Sequence, residues 1–517
     1  VLDRIAHHPN KRYFIYKSII VKNLFGVDIM EEAVEICKLR LFLKLVAQID
    51  DVKLIEPLPD IDFNIRAGNS LVGFARMEDY NTMFDNPLGL KTDADLMAEL
   101  LAKNVNDFHN QQLEQGSADE ELKKKITEQL EALTVRFNDQ LRPVYGFKKN
   151  EAEEFIKTYQ PFHWCIEFFS IMTKGGFDVI IGNPPYVEYG KIKNQYKLKG
   201  YESESCGNLY AYVMERSLSV QTKNGRSALI IPISFVSSER MISIRNKTLN
   251  QSSFVWISNF AIRPQPLFPE IMQRNTIVIA KSGGGNAPLV YTSNYIRWTA
   301  SERDILFQRL SLIEVTNLIK NDDIIPKVYS AIDRSIFEKM MKHRTIVVEQ
   351  LKGIDNSSLF FHDSGESYWT KTLWSKPKAY RAGKLVEPSQ WFEITITKSE
   401  KPFVYLLLNS NLFYWLWTVN TDCRHMTKGF IENIPIPRNR TVNDNLVERL
   451  TSAYKQNTTL FEKRPGYKSP EIKVQKFKSV IDEIDQMLAE HYGFTEEELD
   501  FIINYDIKYR MGKQEEE

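Results

Sequence analysis

The sequence predicts an α/β chain: a doubly wound sheet domain interrupted by a helical insertion, followed by a mixed α/β domain and C-terminal helices. Three observations carry this. Strand-like and helix-like segments alternate near the N-terminus, a charged helical stretch breaks the alternation, and the alternation resumes at Phe177. Beyond about residue 300 it gives way to short β-like runs rich in aromatics and turn residues. The expected boundaries are residues 1–76 and 161–300 for the sheet domain, 77–160 for the insertion, 301–440 for the second domain and 441–517 for the helical end.

Taken in order, Lys22–Asp28 reads as a strand ending in an acid, and Glu31–Val46 as a helix. Apolar residues at 33, 34, 36, 37, 39, 41, 42, 45 and 46 would give that helix a broad buried face. Ile61–Ile65 is a second short strand leading into the turn Gly68-Asn69-Ser70-Leu71. Asp93–Lys103 and Asp119–Asn138 form a helical hairpin around Gln115-Gly116-Ser117-Ala118, its charges on a solvated face or, alternatively, a clamp on DNA or on another domain. Strands are expected at Phe177–Ile181, Arg226–Pro232, Phe254–Phe260 and Thr276–Ala280, with an amphipathic helix at Leu209–Val220. Lys473–Tyr492 is a charged helix and Gln514–Glu517 a disordered acidic end.

Composition bounds the function. At 517 residues the chain has room for two to four domains, and 43% hydrophobic with 26% charged residues is ordinary for a globular protein. Lys+Arg and Asp+Glu are equal at 67 each, so affinity for a polyanion has to come from a local basic surface. No apolar run reaches membrane-spanning length; Phe403–Val419 is interrupted by Asn409, Ser410 and Asn411. With no export signal at the start, the expectation is a cytoplasmic protein without membrane partners. Cys37, Cys165, Cys206 and Cys423 are scattered, without C-x-x-C or nearby His, and read as buried thiols rather than disulfides or metal ligands.

The chemistry is concentrated where the strand Phe177–Ile181 ends in Asn183-Pro184-Pro185-Tyr186. An exocyclic amine conjugated to a ring is a poor nucleophile until acceptors hold both its hydrogens, and the Asn183 oxygen with the Pro184 carbonyl can supply two. Consecutive prolines fix φ and carry no N–H, so the loop is stiff and its carbonyls are committed in direction. Tyr186 offers a flat face for an unstacked base.

Together with Asp28 at a strand end and the Gly68-Asn69-Ser70-Leu71 turn, this loop resembles the gamma-class N6-adenine DNA methyltransferases, above all the large type IIG and type IIS restriction-modification enzymes. The resemblance covers roughly residues 15–280 and, more loosely, 400–437. It implies a Rossmann-like S-adenosylmethionine-dependent catalytic domain and a target recognition domain that binds double-stranded DNA. It places Asp28 on the cofactor's ribose hydroxyls and Ile29 against its adenine. Asn69 stands where the family has an acid contacting the adenine amine. Asn208–Tyr212 matches the segment opening the next helix, with Tyr212 lining the cofactor pocket. Phe268 of Leu267-Phe268-Pro269 would sandwich the target base opposite Tyr186, Arg424, His425 and Lys428 would meet DNA, and no metal is called for.

One departure is large. The family's Gly-rich cofactor loop should precede Asp28, but only a short stretch without G-x-G does so. Lys174-Gly175-Gly176 and Ser282-Gly283-Gly284-Gly285 stand elsewhere in the order. The expectation is therefore a piece of a longer enzyme, with that loop and a restriction or specificity domain on the same longer chain. Pro59-Asp60 lacks the downstream acid-x-Lys partner of a metal-dependent nuclease. The competing reading is a non-catalytic DNA-recognition fragment of a type IIG enzyme. Methylation of a glutamine amide or an RNA base leaves the long C-terminal region unexplained.

Overall fold

The computed structural model describes residues 5, 7–49, 51, 53, 55–83, 92–117, 119–284, 287–319, 324–343, 345–347, 355–363 and 368–511. Ala118, Gly285 and the acidic end Gln514–Glu517 lie outside them. The chain divides into two compact units, residues 1–231, 243–254 and 279–288 in the first, and 232–242, 255–278 and 289–517 in the second.

The first unit opens with helix α1 (Lys11–Asn23) and strand β1 (Gly26–Asp28). The strand expected over Lys22–Asp28 is thus cut to three residues. Tyr13, Phe14, Lys17, Ile20 and Val21 are buried at helical spacing, and Asn10 caps the first turn by accepting from Tyr13 N at 3.1 Å. Helix α2 (Glu31–Val46) has the expected bounds, but its broad buried face is not found. Val34 and Leu45 are buried, while Ile36, Leu39, Leu43 and Val46 are 47–60% exposed.

Strand β2 (Ile65–Ala67) lies later than the expected Ile61–Ile65 and pairs with β1 in parallel, Asp28 opposite Ala67. Polar side chains claim the residues before it. Asp60 accepts from Asp62 N, and Asn64 Nδ2 donates to the carbonyls of Ile20, Val21 and Leu24 that end α1. Among the described residues β1 and β2 form a sheet of their own, a correction to the single doubly wound sheet.

The insertion consists of α3 (Asp93–Glu114), capped by Thr92, and α4 (Glu120–Leu141), capped by Asp119, longer than the sequence suggested. It is more than a solvated face. Ala98, Leu101, Phe108, Ile126, Leu133 and Phe137 join Leu71, Phe74 and Tyr80 in one core. Buried His163 links the two parts, accepting from Phe74 N at 3.2 Å and facing Asn138 Oδ1 at 3.1 Å. Burial pushes its pKa down to about 3, so the ring stays neutral at physiological pH.

At the other end Lys123 pairs with Asp60 and, at 2.8 Å, with Asp62, which Lys38 also reaches at 2.7 Å. Burial alone would raise the Asp62 carboxyl, but the Lys123 and Lys38 hydrogen bonds outweigh it and hold the pKa below its ordinary value. A group with a depressed folded pKa stabilises above its unfolded value and loses that contribution as pH falls. Lys123→Ala is expected to cost about 1 kcal/mol at pH 7, because the network is partly exposed. Denaturant titrations should see the difference from the parent shrink as pH falls below about 4.

Strand β3 (Phe177–Gly182) matches expectation and pairs in parallel with β4 (Gln221–Pro232), joined through helix α5 (Leu209–Val220). β3 is not a core strand: Val179 is 63% and Ile181 77% exposed. β5 (Ser252–Phe260), β6 (Asn275–Ser282), β7 (Leu289–Ile296) and β8 (Ile313–Glu314) follow, in a sheet of order β3-β4-β6-β5-β7-β8.

In the second unit, β9 (Asn356–His362), β10 (Thr372–Leu373) and β13 (Trp391–Thr397) make one antiparallel sheet. β11 (Ala379–Arg381) and β12 (Lys384–Val386) pair with a later hairpin, β14 (Thr458–Arg464) and β15 (Tyr467–Ile472). That hairpin corrects the all-helical reading of residues 441–517: its β-branched and aromatic run Thr458–Phe461 folds back at Pro465-Gly466. The apolar run Phe403–Val419 becomes two helices, α6 (Lys401–Leu408) and α7 (Asn411–Asn420), every residue of which except Pro402 is buried. The interrupting polar residues are their junction, with Asn409 bonded to Thr372 and Asn411 to Asp482 and Asp485. The unit also contains α8 (Asp444–Gln456), α9 (Lys478–Tyr492) and α10 (Glu496–Asn504), α9 starting five residues later than expected behind the short turn Val474–Phe477. No helix among the described residues is long and apolar enough to cross a membrane.

Candidate functional site

The strands that carry the candidates start together. Phe25, just before β1, and Phe177, opening β3, have ring centroids 6.2 Å apart. Phe25, Val27, Phe177 and Ile180 pack on one cluster built from Phe162, Phe168 and Met172. From that base β1 runs to Asp28 and β3 to Asn183, so both side chains stand at strand carboxyl ends, where α/β folds place their ligands.

Asn183 is exposed, Pro184 buried and Pro185 exposed. The half-buried Tyr186 lies near both Asn183 Oδ1 (2.7 Å) and the Ile230 carbonyl of β4 (2.8 Å) through its hydroxyl. A phenol has one proton to share between two acceptors. The contact pins the ring and fixes the direction of the Asn183 carboxamide, leaving the second oxygen lone pair open. Burial pushes the Tyr186 pKa up to about 12, so the hydroxyl stays protonated and remains a donor.

Asp28 is exposed and turns one oxygen onto Met30 N at 2.9 Å. Its other oxygen has no hydrogen bond among the described residues, and Ile29 beside it is 44% exposed. Asn69 is buried, its Oδ1 accepting from Leu71 N at 3.1 Å and its Nδ2 without a partner among the described residues. The acceptor that the resemblance assigns to a cofactor amine is therefore spent on the local turn, and what remains is a donor. That turn is tight: Gly73 has φ +132°, and a Cβ there would lie 2.2 Å from the Phe162 carbonyl.

Tyr212 is fully buried against Tyr189 and Tyr201, at 5.4 and 5.1 Å between rings, and its hydroxyl finds no partner among the described residues. It is packed as core rather than facing an opening. Phe268 is half-buried on a loop of the second unit, next to Leu267, whose carbonyl accepts from Arg303. Arg424, His425 and Lys428 are all exposed. His425 Nδ1 lies 3.6 Å from Asp363, and Lys428 pairs with Glu432 at 3.6 Å. Asp60, sought as a nuclease acid, is occupied by Lys123. The cysteines carry free thiols, three buried and Cys37 partly so.

Sequence reading missed Arg216. From α5 it donates to Tyr201 Oη at 2.8 Å and to the carbonyls of Leu71 and Gly73 at 3.3 and 3.2 Å, fastening the turn that follows Asn69. Its place one helical turn beyond Tyr212 was the available signal. A cavity of about 400 Å³ opens beside it, lined by Phe74, Tyr145, Tyr201, Arg216, Lys247 and Gln251. None of the sequence candidates lines it.

Over residues 22–268 the chain matches the family model described as Eco57I restriction-modification methylase. It is similar to a protein of Methanocaldococcus jannaschii named as a type II restriction enzyme and methyltransferase, with 29% identity over 498 residues, 84% of this chain and 41% of that relative. The chain therefore spans about two fifths of the length of the curated relative it matches. Among solved structures, a nuclease-deletion mutant of the type ISP restriction-modification enzyme LlaGI with a DNA substrate mimic is 12% identical, with 60% of this chain and 45% of that one covered and a TM-score of 0.33. The type IIG restriction endonuclease BpuSI is 12% identical, with 97% and 76% covered and a TM-score of 0.27. At such scores neither bears on the fold, which rests on the strand register described above.

Proposed function

We propose that this chain is the methyltransferase part of a restriction-modification enzyme and transfers a methyl group from S-adenosylmethionine to adenine N6 in double-stranded DNA. The observation that carries the reading is the loop after β3, where an exposed Asn183 amide oxygen is aimed by the Tyr186 hydroxyl at a strand carboxyl end. The family match over residues 22–268 includes that loop together with Asp28 and Asn69.

In this reading the target adenine leaves its stack and rests on Tyr186. Asn183 Oδ1 and the Pro184 carbonyl accept the two amine hydrogens and turn the nitrogen lone pair toward the methyl donor. The donor's positive sulfur makes its methyl group transferable without a strong base. The residues at β1 and β2 fit a nucleoside: the open Asp28 oxygen accepts from vicinal hydroxyls, and Ile29 gives an apolar face. The orphan Asn69 Nδ2 suits a ring nitrogen rather than an exocyclic amine. Arg424, His425 and Lys428 are the proposed DNA contacts of the second unit. The Gly-rich cofactor loop and a restriction domain would belong to further parts of a longer chain.

The test is incorporation of labelled methyl groups into duplex DNA, with digestion to nucleosides to locate the label. N6-methyladenine with saturable cofactor binding is expected. Sequence-selective DNA binding without either would leave the recognition fragment as the better reading.

A further inference from the structure

We infer that the paired hairpin tips of the four-stranded sheet form a second, sequence-independent contact to the DNA sugar-phosphate backbone, apart from the Arg424–Lys428 segment the sequence suggested for DNA. The inference rests on the DNA reading above. The register carries it. Arg381 of β11 stands opposite Lys384 of β12 on one side and Tyr467 of β15 on the other, and Tyr467 stands opposite Arg464 of β14. Directly opposed residues in antiparallel strands project to the same face. Lys384, Arg381, Tyr467 and Arg464 therefore form one rank across all four strands, about 14 Å wide at about 4.8 Å per strand.

The three cations are exposed, and among the described residues none has an ion pair. No carboxylate belongs to the rank. Glu462, the nearest acid in β14, sits in the next rank opposite Lys468 and accepts from Gly466 N. The platform is also rigid. Ala382 N donates to the Gly466 carbonyl at 2.8 Å, tying one tip to the other, and the Arg381 guanidinium lies 5.7 Å from the centre of the Tyr467 ring.

The chain as a whole is neutral, so a rank of three cations without an ion pair among the described residues is a local field of the kind a polyanion needs. Along about 14 Å of duplex one strand presents a phosphate about every 3.4 Å of rise, roughly four in all. Arginine forks match phosphate oxygens two at a time, and a held row loses little entropy on contact.

The experiment measures affinity for a random-sequence duplex as a function of salt, for the parent and for Arg381→Ala/Lys384→Ala/Arg464→Ala. Each lost phosphate contact removes about 0.9 from the slope of log affinity against log salt, so the slope should shrink by about 2 to 3, with affinity lower on the order of a hundred-fold at 0.1 M. The thermal midpoint should stay unchanged. Lys124→Ala/Lys125→Ala/Lys149→Ala, three exposed lysines of the first unit, should leave the slope as it is. A parent with a steep slope and a platform variant with the same slope would overturn this inference alone, as would an equal loss in the control. A parent that binds no duplex would overturn both it and the proposed function.

Discussion

Asn183→Ala should abolish methyl transfer in the whole protein, by a factor on the order of a thousand or more, while DNA affinity stays within a few-fold. In the proposed mechanism the amide oxygen is one of two acceptors that together turn the amine, and an oriented acceptor is worth its effect only where charge and geometry change, in the transition state. Nothing in the fold depends on the side chain. Asn183 is exposed, and its one hydrogen bond, from Tyr186, leaves that hydroxyl with the Ile230 carbonyl as a second acceptor. Thermal midpoints should therefore agree, and single-turnover kinetics should isolate the loss in the chemical step. Unchanged turnover would refute the assignment, whereas a drop shared equally with DNA binding would make Asn183 a recognition residue.

The second large effect concerns the second unit. Asp485→Ala should cost about 3–5 kcal/mol, read from denaturant unfolding. Its buried carboxylate receives Asn411 N at 3.1 Å, Leu412 N at 2.9 Å and Asn411 Nδ2 at 2.7 Å, capping α7 from another helix. Removing it strands those donors inside the core beside Trp415 and Trp417. Burial pushes Asp485 up to about 7 against the pull of those donors, and burial does the same for Asp333, which Trp415 Nε1 reaches at 2.6 Å. Both folded values lie above the unfolded one, so this contribution is full below about pH 4 and fades as pH rises through about 7. Stability should fall from pH 5 to pH 8, and Asp485→Asn should remove roughly half of that slope. A loss under 1 kcal/mol in the Ala variant would mean that the α7 terminus finds other acceptors.

Much of the candidate site was legible because its signals are local. The bounds of α2 and α5, the run of β3 and the stiff Asn-Pro-Pro-Tyr corner follow from apolar spacing, from Asn208 as a cap and from proline's fixed φ. The same local rules misplaced β2, because Asn64 serves the end of α1, some 40 residues earlier. They also misjudged burial: α2 and β3 carry apolar residues that no described residue covers. Apolar spacing reports which face could be buried, and a partner has to be present for it to be so.

By itself the sequence determined the chemical identity of the corner after β3, the acid at the end of β1 and the two-helix insertion, since each needs only neighbours within a turn or two. Tertiary structure alone decided that Tyr212 is core, that the Asn69 oxygen is already used, and that β14 and β15 join β11 across more than 70 intervening positions to set three cations in a row. Pairings between distant segments leave no periodic trace in either one. They are chosen by which edges and pockets remain unfilled when the rest has packed.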